Sequence, residues 1–157
     1  EAAMNDDSPY ERKLFTVEQV NAMLPLVRAI ARDLSELGRE VVERRERLAH
    51  LAAGRPQPGS DPYQAELAQI EEELEKDARR LGDYIRELRE LGAEPKNPIE
   101  GLVDFPTIMD GRVVYLCWKL DEPEVLYWHE LEAGFAGRQP LVPAPQVVVS
   151  AGSADPT

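Results

Sequence analysis

Gly101-Leu102-Val103-Asp104-Phe105-Pro106-Thr107-Ile108-Met109-Asp110-Gly111-Arg112-Val113-Val114-Tyr115-Leu116-Cys117-Trp118-Lys119-Leu120 is the stretch that decides the fold. Two runs rich in β-branched and aromatic residues, 102–109 and 112–120, flank Asp110-Gly111, a strong two-residue hairpin signal. A turn of that length fixes the register. Met109 faces Arg112, Phe105 faces Leu116 and Asp104 faces Cys117. One surface then carries Val103, Phe105, Met109, Val114, Leu116 and Trp118, the expected core face. The other carries Asp104, Tyr115, Cys117 and Lys119, a reactive set for a solvent face. Pro106 cannot donate to a ladder, so its strand belongs at an edge or carries a bulge there.

A third strand, 125–130, follows Asp121-Glu122-Pro123-Glu124. Its facing depends on turn parity. An even-length turn puts Glu130 near Tyr115 and Cys117 and points His129 toward the core. An odd-length turn brings His129 to the Cys117 side. Both alternatives stay open at this level.

Upstream, apolar residues recur at Val20, Leu24, Val27, Ala31, Leu34, Val41 and Leu48, in steps of three and four with a gap at Gly38. This is a helix over about 16–53. Thr16 and Gln19 form a capping box, with Phe15 stapling against Val20. Pro25 inside the pattern predicts a kink, or a short first helix restarting at that residue. The connector Gly54-Arg55-Pro56-Gln57-Pro58-Gly59-Ser60 follows, and Asp61-Pro62 opens a second helix over about 61–92. Its stripe is Leu67, Ile70, Leu74, Leu81, Tyr84 (or Ile85), Leu88 and Leu91, and Gly92 ends it. Each helix is about 45–50 Å long at ~1.5 Å per residue. A short connector makes them an antiparallel pair.

The fold class is therefore α+β: a long antiparallel helical hairpin followed by a small three-stranded antiparallel β-meander. Residues 14–138 read as one domain, 1–13 as a flexible leader and 139–157 as a Pro-rich tail or arm, in which Val147-Val148-Val149 is able to add a strand to a partner. Met4 reads as the natural start, with Glu1-Ala2-Ala3 a foreign extension. Two such helices do not bury their stripes fully on each other, and three strands are too few to cover them. The expectation is a homodimer completing a four-helix arrangement.

Thirty acidic residues against eighteen basic ones give a net charge of −12, which opposes docking on nucleic acid or an anionic membrane. Arg44, Arg45 and Arg47 lie among Glu40, Glu43 and Glu46 and read as a salt-bridged, solvated helix face. The single cysteine, Cys117, excludes an intrachain disulfide and every multi-cysteine zinc motif. With no bilayer-spanning apolar run and no signal peptide, the expected location is cytoplasmic. The second helix has no Glu-x-x-His pair of ferritin type, and His50 reads as a surface residue at a helix end. Walker, GxGxxG and nucleophile-elbow sequences are absent.

The run Phe15-Thr16-Val17-Glu18-Gln19-Val20-Asn21-Ala22-Met23-Leu24-Pro25 resembles the opening of the uncharacterised bacterial family DUF2203. So do Gly101 to Pro106, Gly111-Arg112, Leu116-Cys117-Trp118, Tyr127-Trp128-His129-Glu130 and Gly134-Phe135-Ala136-Gly137-Arg138, in order and spacing. The resemblance covers about 14–141. It implies a shared fold and carries no activity with it.

Three candidate sites follow from the residues. Asp104, Cys117, His129 and Glu130 are a mixed oxygen, sulfur and nitrogen set suited to zinc or iron. Adjacent residues of a strand point to opposite faces, which counts against His129 and Glu130 sharing one ion. The plain alternative is a buried hydrogen-bonded cluster with Cys117 as a small hydrophobe. Second, Cys117 as nucleophile with His129 as base would give a thiol-dependent enzyme, against a cysteine simply packed between Leu116 and Trp118. Third, Arg138 in its glycine-rich turn, with Arg112 and Tyr115 nearby, could hold a small anionic ligand. Its alternative is an arginine paired with Asp104, Glu130 or Glu132. The leading reading is a dimeric binding or assembly module that takes a small ligand or partner segment on the meander. A metal-dependent or thiol-dependent enzyme is the alternative.

Overall fold

The computed structural model describes residues 13–54 and 61–141. The leader, the connector at 55–60 and the tail from 142, including Val147 to Val149, lie outside the described residues. Helix α1 spans Val17–Gly54 and α2 spans Asp61–Glu90. Five strands follow: β1 Glu94–Asn97, β2 Leu102–Met109, β3 Arg112–Lys119, β4 Tyr127–His129 and β5 Gln139–Pro140. They form one antiparallel sheet in the order β1-β2-β3-β4-β5. The architecture is α+β. No described helix is long and apolar enough to cross a membrane.

The start of α1 is the expected capping box. The Thr16 N–H donates to Gln19 Oε1 (2.9 Å) and the Gln19 N–H to Thr16 Oγ1 (3.1 Å). Pro25 neither ends nor restarts the helix, which runs unbroken from Val17 to Gly54. That corrects one of the two expected outcomes. A proline removes a single hydrogen bond, and the buried stripe from Val20 to Leu34 holds the turns on either side against the sheet. The gap at Gly38 has a cause. A Cβ there would lie 3.1 Å from Ile99 Cγ1, and one turn earlier Ser35 Oγ donates to the Ile99 carbonyl (2.6 Å). Helix α2 closes with the paired bonds Ala93 N–H to Leu88 O and Gly92 N–H to Arg89 O, and Gly92 has φ +97°.

The core forms where α1 crosses one face of the sheet. Val20, Leu24, Val27, Ile30, Ala31 and Leu34 pack with Val103, Phe105, Leu116 and Trp118, while α2 contributes Leu88. Farther out the two helices are joined by charge. Arg44 pairs with the buried Asp77 and with Glu73 (3.3 Å), and Arg47 with Glu66 (3.0 Å).

The three-stranded meander needs correction to five strands. Both missed strands contain proline, Pro95 in β1 and Pro140 in β5, and both lie at an edge, where a missing donor costs no ladder bond. Central proline Pro106 escapes the rule differently. The pairing of β1 with β2 stops at Asp104, and beyond it the Phe15 N–H donates to the Pro106 carbonyl (2.8 Å). Asp110 (φ 54°) and Gly111 (φ 79°) make the tight turn, and the β2–β3 register is the one that this turn requires.

Candidate functional site

Strand β4 pairs with β3 so that Tyr115 faces His129 and Cys117 faces Tyr127. This is the odd-parity arrangement, and it turns His129 toward Cys117. The cause lies in the preceding turn. Glu122 Oε1 accepts the Lys119 N–H (3.0 Å), the Glu122 N–H donates to Lys119 O (2.8 Å), and Trp118 Nε1–H donates to Glu122 O (2.9 Å). Asn21 Oδ1 then accepts the Val125 N–H (2.8 Å), tying the incoming strand to α1.

Asp104, Cys117 and His129 thus come together from three neighbouring strands. Each offers one ligand atom, and these atoms lie within 4.8 Å of one another. All three residues are 2% exposed or less. The face expected to meet solvent is therefore buried at this point. It is covered by groups distant in sequence. Lys96 Nζ lies over the Tyr115 ring (5.0 Å), and Arg138 Nη2 reaches the Cys117 carbonyl (3.2 Å).

Two hydrogen bonds define the histidine. Nδ1 lies 2.7 Å from the Glu130 carbonyl oxygen, which only accepts, so Nδ1 carries a proton. Nε2 lies 3.0 Å from Asp104 Oδ2. A neutral ring would then set a lone pair against a carboxylate oxygen, so a positive species must sit between them: a proton or a metal ion. The other carboxylate oxygen, Asp104 Oδ1, is buried without a partner among the described residues. Burial raises the Asp104 carboxyl above its ordinary value despite the pull of His129. Burial, followed by the negative Asp104 beside it, pushes the Cys117 thiol up to about 12. A thiol held that far from ionisation is a poor nucleophile without help.

The remaining sequence candidates lie apart from this cluster. Glu130 points away from it and forms a two-pronged pair with Arg112, with Nε to Oε1 at 3.1 Å. Arg112 also stacks over Trp128, on the core side of the sheet. Arg138 lies on the opposite side, over Tyr127 (4.1 Å) and Phe135 (4.7 Å), and pairs with Glu122 (2.7 Å) rather than with Asp104, Glu130 or Glu132. The two arginines do not converge. Tyr115 packs against the His129 ring, with centroids 5.6 Å apart.

Sequence reasoning passed over Glu122, Tyr127 and Lys96. Tyr127 was within reach, since it is two residues from His129 on one strand and so shares its face. Glu122 and Lys96 carried no local signal, because their roles depend on contacts across the sheet.

No curated protein and no solved structure matches this chain. The family model described as an uncharacterized conserved protein (DUF2203) matches residues 13–141, most of the chain. The protein accordingly belongs to the DUF2203 family.

Proposed function

We propose that this protein is a metal-binding module that holds one divalent transition-metal ion, zinc or iron, between Asp104, Cys117 and His129. The observation that carries the reading is the His129 ring. Its Nδ1–H is spent on the Glu130 carbonyl, which aims the Nε2 lone pair at a buried carboxylate and a buried thiol. Ligating histidines are oriented in this way, with the second nitrogen donating to a carbonyl or carboxylate. The unpartnered Asp104 Oδ1 supports the same reading, since a buried anion is stable only when compensated. A tetrahedral zinc ion needs an N···O separation of ~3.4 Å from its bond lengths, so the 3.0 Å pair opens by only a few tenths of an ångström.

Charge complementarity fits a divalent ion. A carboxylate, a thiolate and a neutral imidazole total −2, so the loaded site is neutral. The thiol-enzyme alternative has less support, because Cys117 is fully buried and its thiol is pushed up to about 12. Anion capture by Arg112 and Arg138 is opposed by the carboxylate that each already holds. Equilibrium dialysis against zinc tests the proposal. One ion per chain is expected for wild type, with none retained by Asp104→Asn or Cys117→Ser. Equal uptake by all three proteins would refute it.

A separate observation favours assembly. Of the α2 stripe only Ile70 and Leu88 are buried, while Leu67, Leu74, Leu81, Tyr84, Ile85 and Leu91 stay half-buried. A second copy laid along α2 would complete their burial, in a cytosolic homodimer. Sedimentation equilibrium checks this. A dimer that Leu81→Glu dissociates is expected, and a monomer at all concentrations would exclude it.

A further inference from the structure

Arg138 is built into the sheet more firmly than a surface arginine needs to be. Its guanidinium lies over the Tyr127 (4.1 Å) and Phe135 (4.7 Å) rings. Nη2 donates to both Glu122 Oε1 (2.7 Å) and the Cys117 carbonyl (3.2 Å). Glu122 is itself fixed by the Lys119 N–H. Nη2 is thus held by two fixed acceptors. Nε is buried and has no partner among the described residues. Nη2 at the Cys117 carbonyl, with Tyr127 opposite Cys117 in the strand pairing, puts the guanidinium next to Cys117 on the same face of the sheet.

A neutral thiol accepts hydrogen bonds poorly, so Nε–H gains little from it. A thiolate accepts them well, and bonds with one ionised partner are roughly twice as strong as neutral ones. We infer that Arg138 is the positioning residue of the metal site, its Nε–H donating to Cys117 Sγ in the metal-bound thiolate form. The inference rests on the metal-binding reading above and assigns a role within it. Glu122 already neutralises the guanidinium, so the bond reaches the sulfur without adding net charge to a site that is neutral when loaded. Hydrogen bonds to a ligating sulfur withdraw electron density from it, tuning the metal–sulfur bond and lowering the reactivity of the sulfur.

The test uses cobalt(II) as an optical probe in the full chain, comparing wild type with Arg138→Gln and Arg138→Lys. Wild type is expected to show a thiolate-to-cobalt charge-transfer band that Cys117→Ser abolishes. Arg138→Gln should move that band to longer wavelength, because the sulfur is more electron-rich, and should weaken cobalt binding by ~10–100-fold, the usual effect of losing such a partner. Arg138→Lys keeps the charge and the long stem but not the planar fork, so it should shift the band the same way while holding the fold together. A band of unchanged energy and affinity in the lysine variant, even with lowered thermal stability, overturns the inference and leaves metal binding intact. No cobalt uptake, or no thiolate band, in wild type overturns both.

Discussion

Loading the proposed site should expel two protons for each divalent ion, a number that follows from its hydrogen bonds. Nδ1 of His129 keeps its proton on the Glu130 carbonyl in either state. In the metal-free chain one further proton lies between Nε2 and Asp104 Oδ2, and a second lies on the Cys117 thiol, which is pushed up to about 12. A metal ion needs both positions, so both protons leave and the buried site stays neutral. Each proton contributes ~1.4 kcal/mol per pH unit, making ~2.7 kcal/mol or about a hundredfold loss of affinity for each unit of acidification near neutrality. Zinc titration by calorimetry, in buffers of different ionisation enthalpy, gives the proton count as the slope of apparent heat against buffer heat. A slope near two is expected. A slope near zero would mean that the ion goes elsewhere. One near unity would mean that either the thiol or the Asp104–His129 pair takes no part.

Without metal, pH acts in the opposite direction. Burial raises Asp104 and Cys117 above their ordinary values, so the folded chain binds their protons more tightly than the unfolded chain does. The Asp104 contribution is complete below ~3.9 and is lost as pH rises through its folded value, and the Cys117 contribution fades between ~8.5 and about 12. Urea midpoints of chelator-treated protein should therefore fall with rising pH in those windows, and a rise there would contradict the assignment. His129→Ala leaves the Asp104 carboxyl buried without its imidazole partner, and a loss of about 3 kcal/mol in metal-free stability is expected from chemical denaturation. A loss under about 1 kcal/mol would mean that water reaches the site. Gly101 has φ +70°, and a Cβ there would lie 2.5 Å from Leu120 Cβ, whereas Gly111 has φ +79° with open space around it. Both alanine variants carry the conformational cost of ~1–2 kcal/mol, and only Gly101→Ala adds a steric one. Equal losses for the two would refute the packing argument.

Local chemistry in the chain made much of this structure legible. Asp110-Gly111 sets the hairpin register, and the register puts Asp104 beside Cys117. The three-and-four spacing of α1 named the residues that meet the sheet. What stayed hidden depended on partners far along the chain. The parity of the turn before β4 follows from hydrogen bonds that Glu122 makes with Lys119 and Trp118, and a two-way choice at that turn decides whether His129 or Glu130 joins the cluster. On the Asp104 face Lys96 lies over Tyr115 and Arg138 over Tyr127, and the hairpin sequence contains neither of these cations. The edge strands β1 and β5 were missed because Pro95 and Pro140 read as connectors. Proline excludes a central strand but not an edge, and only the assembled sheet shows which strands are its edges.

X-ray absorption at the zinc edge of the loaded, full-length protein tests the central claim most directly. The account predicts one sulfur at ~2.3 Å together with a low-Z shell at ~2.0–2.2 Å that carries the outer scattering of a single imidazole. The sulfur should vanish in Cys117→Ser and the imidazole in His129→Ala. A shell of oxygen and nitrogen alone, with no sulfur in the wild-type protein, would contradict it.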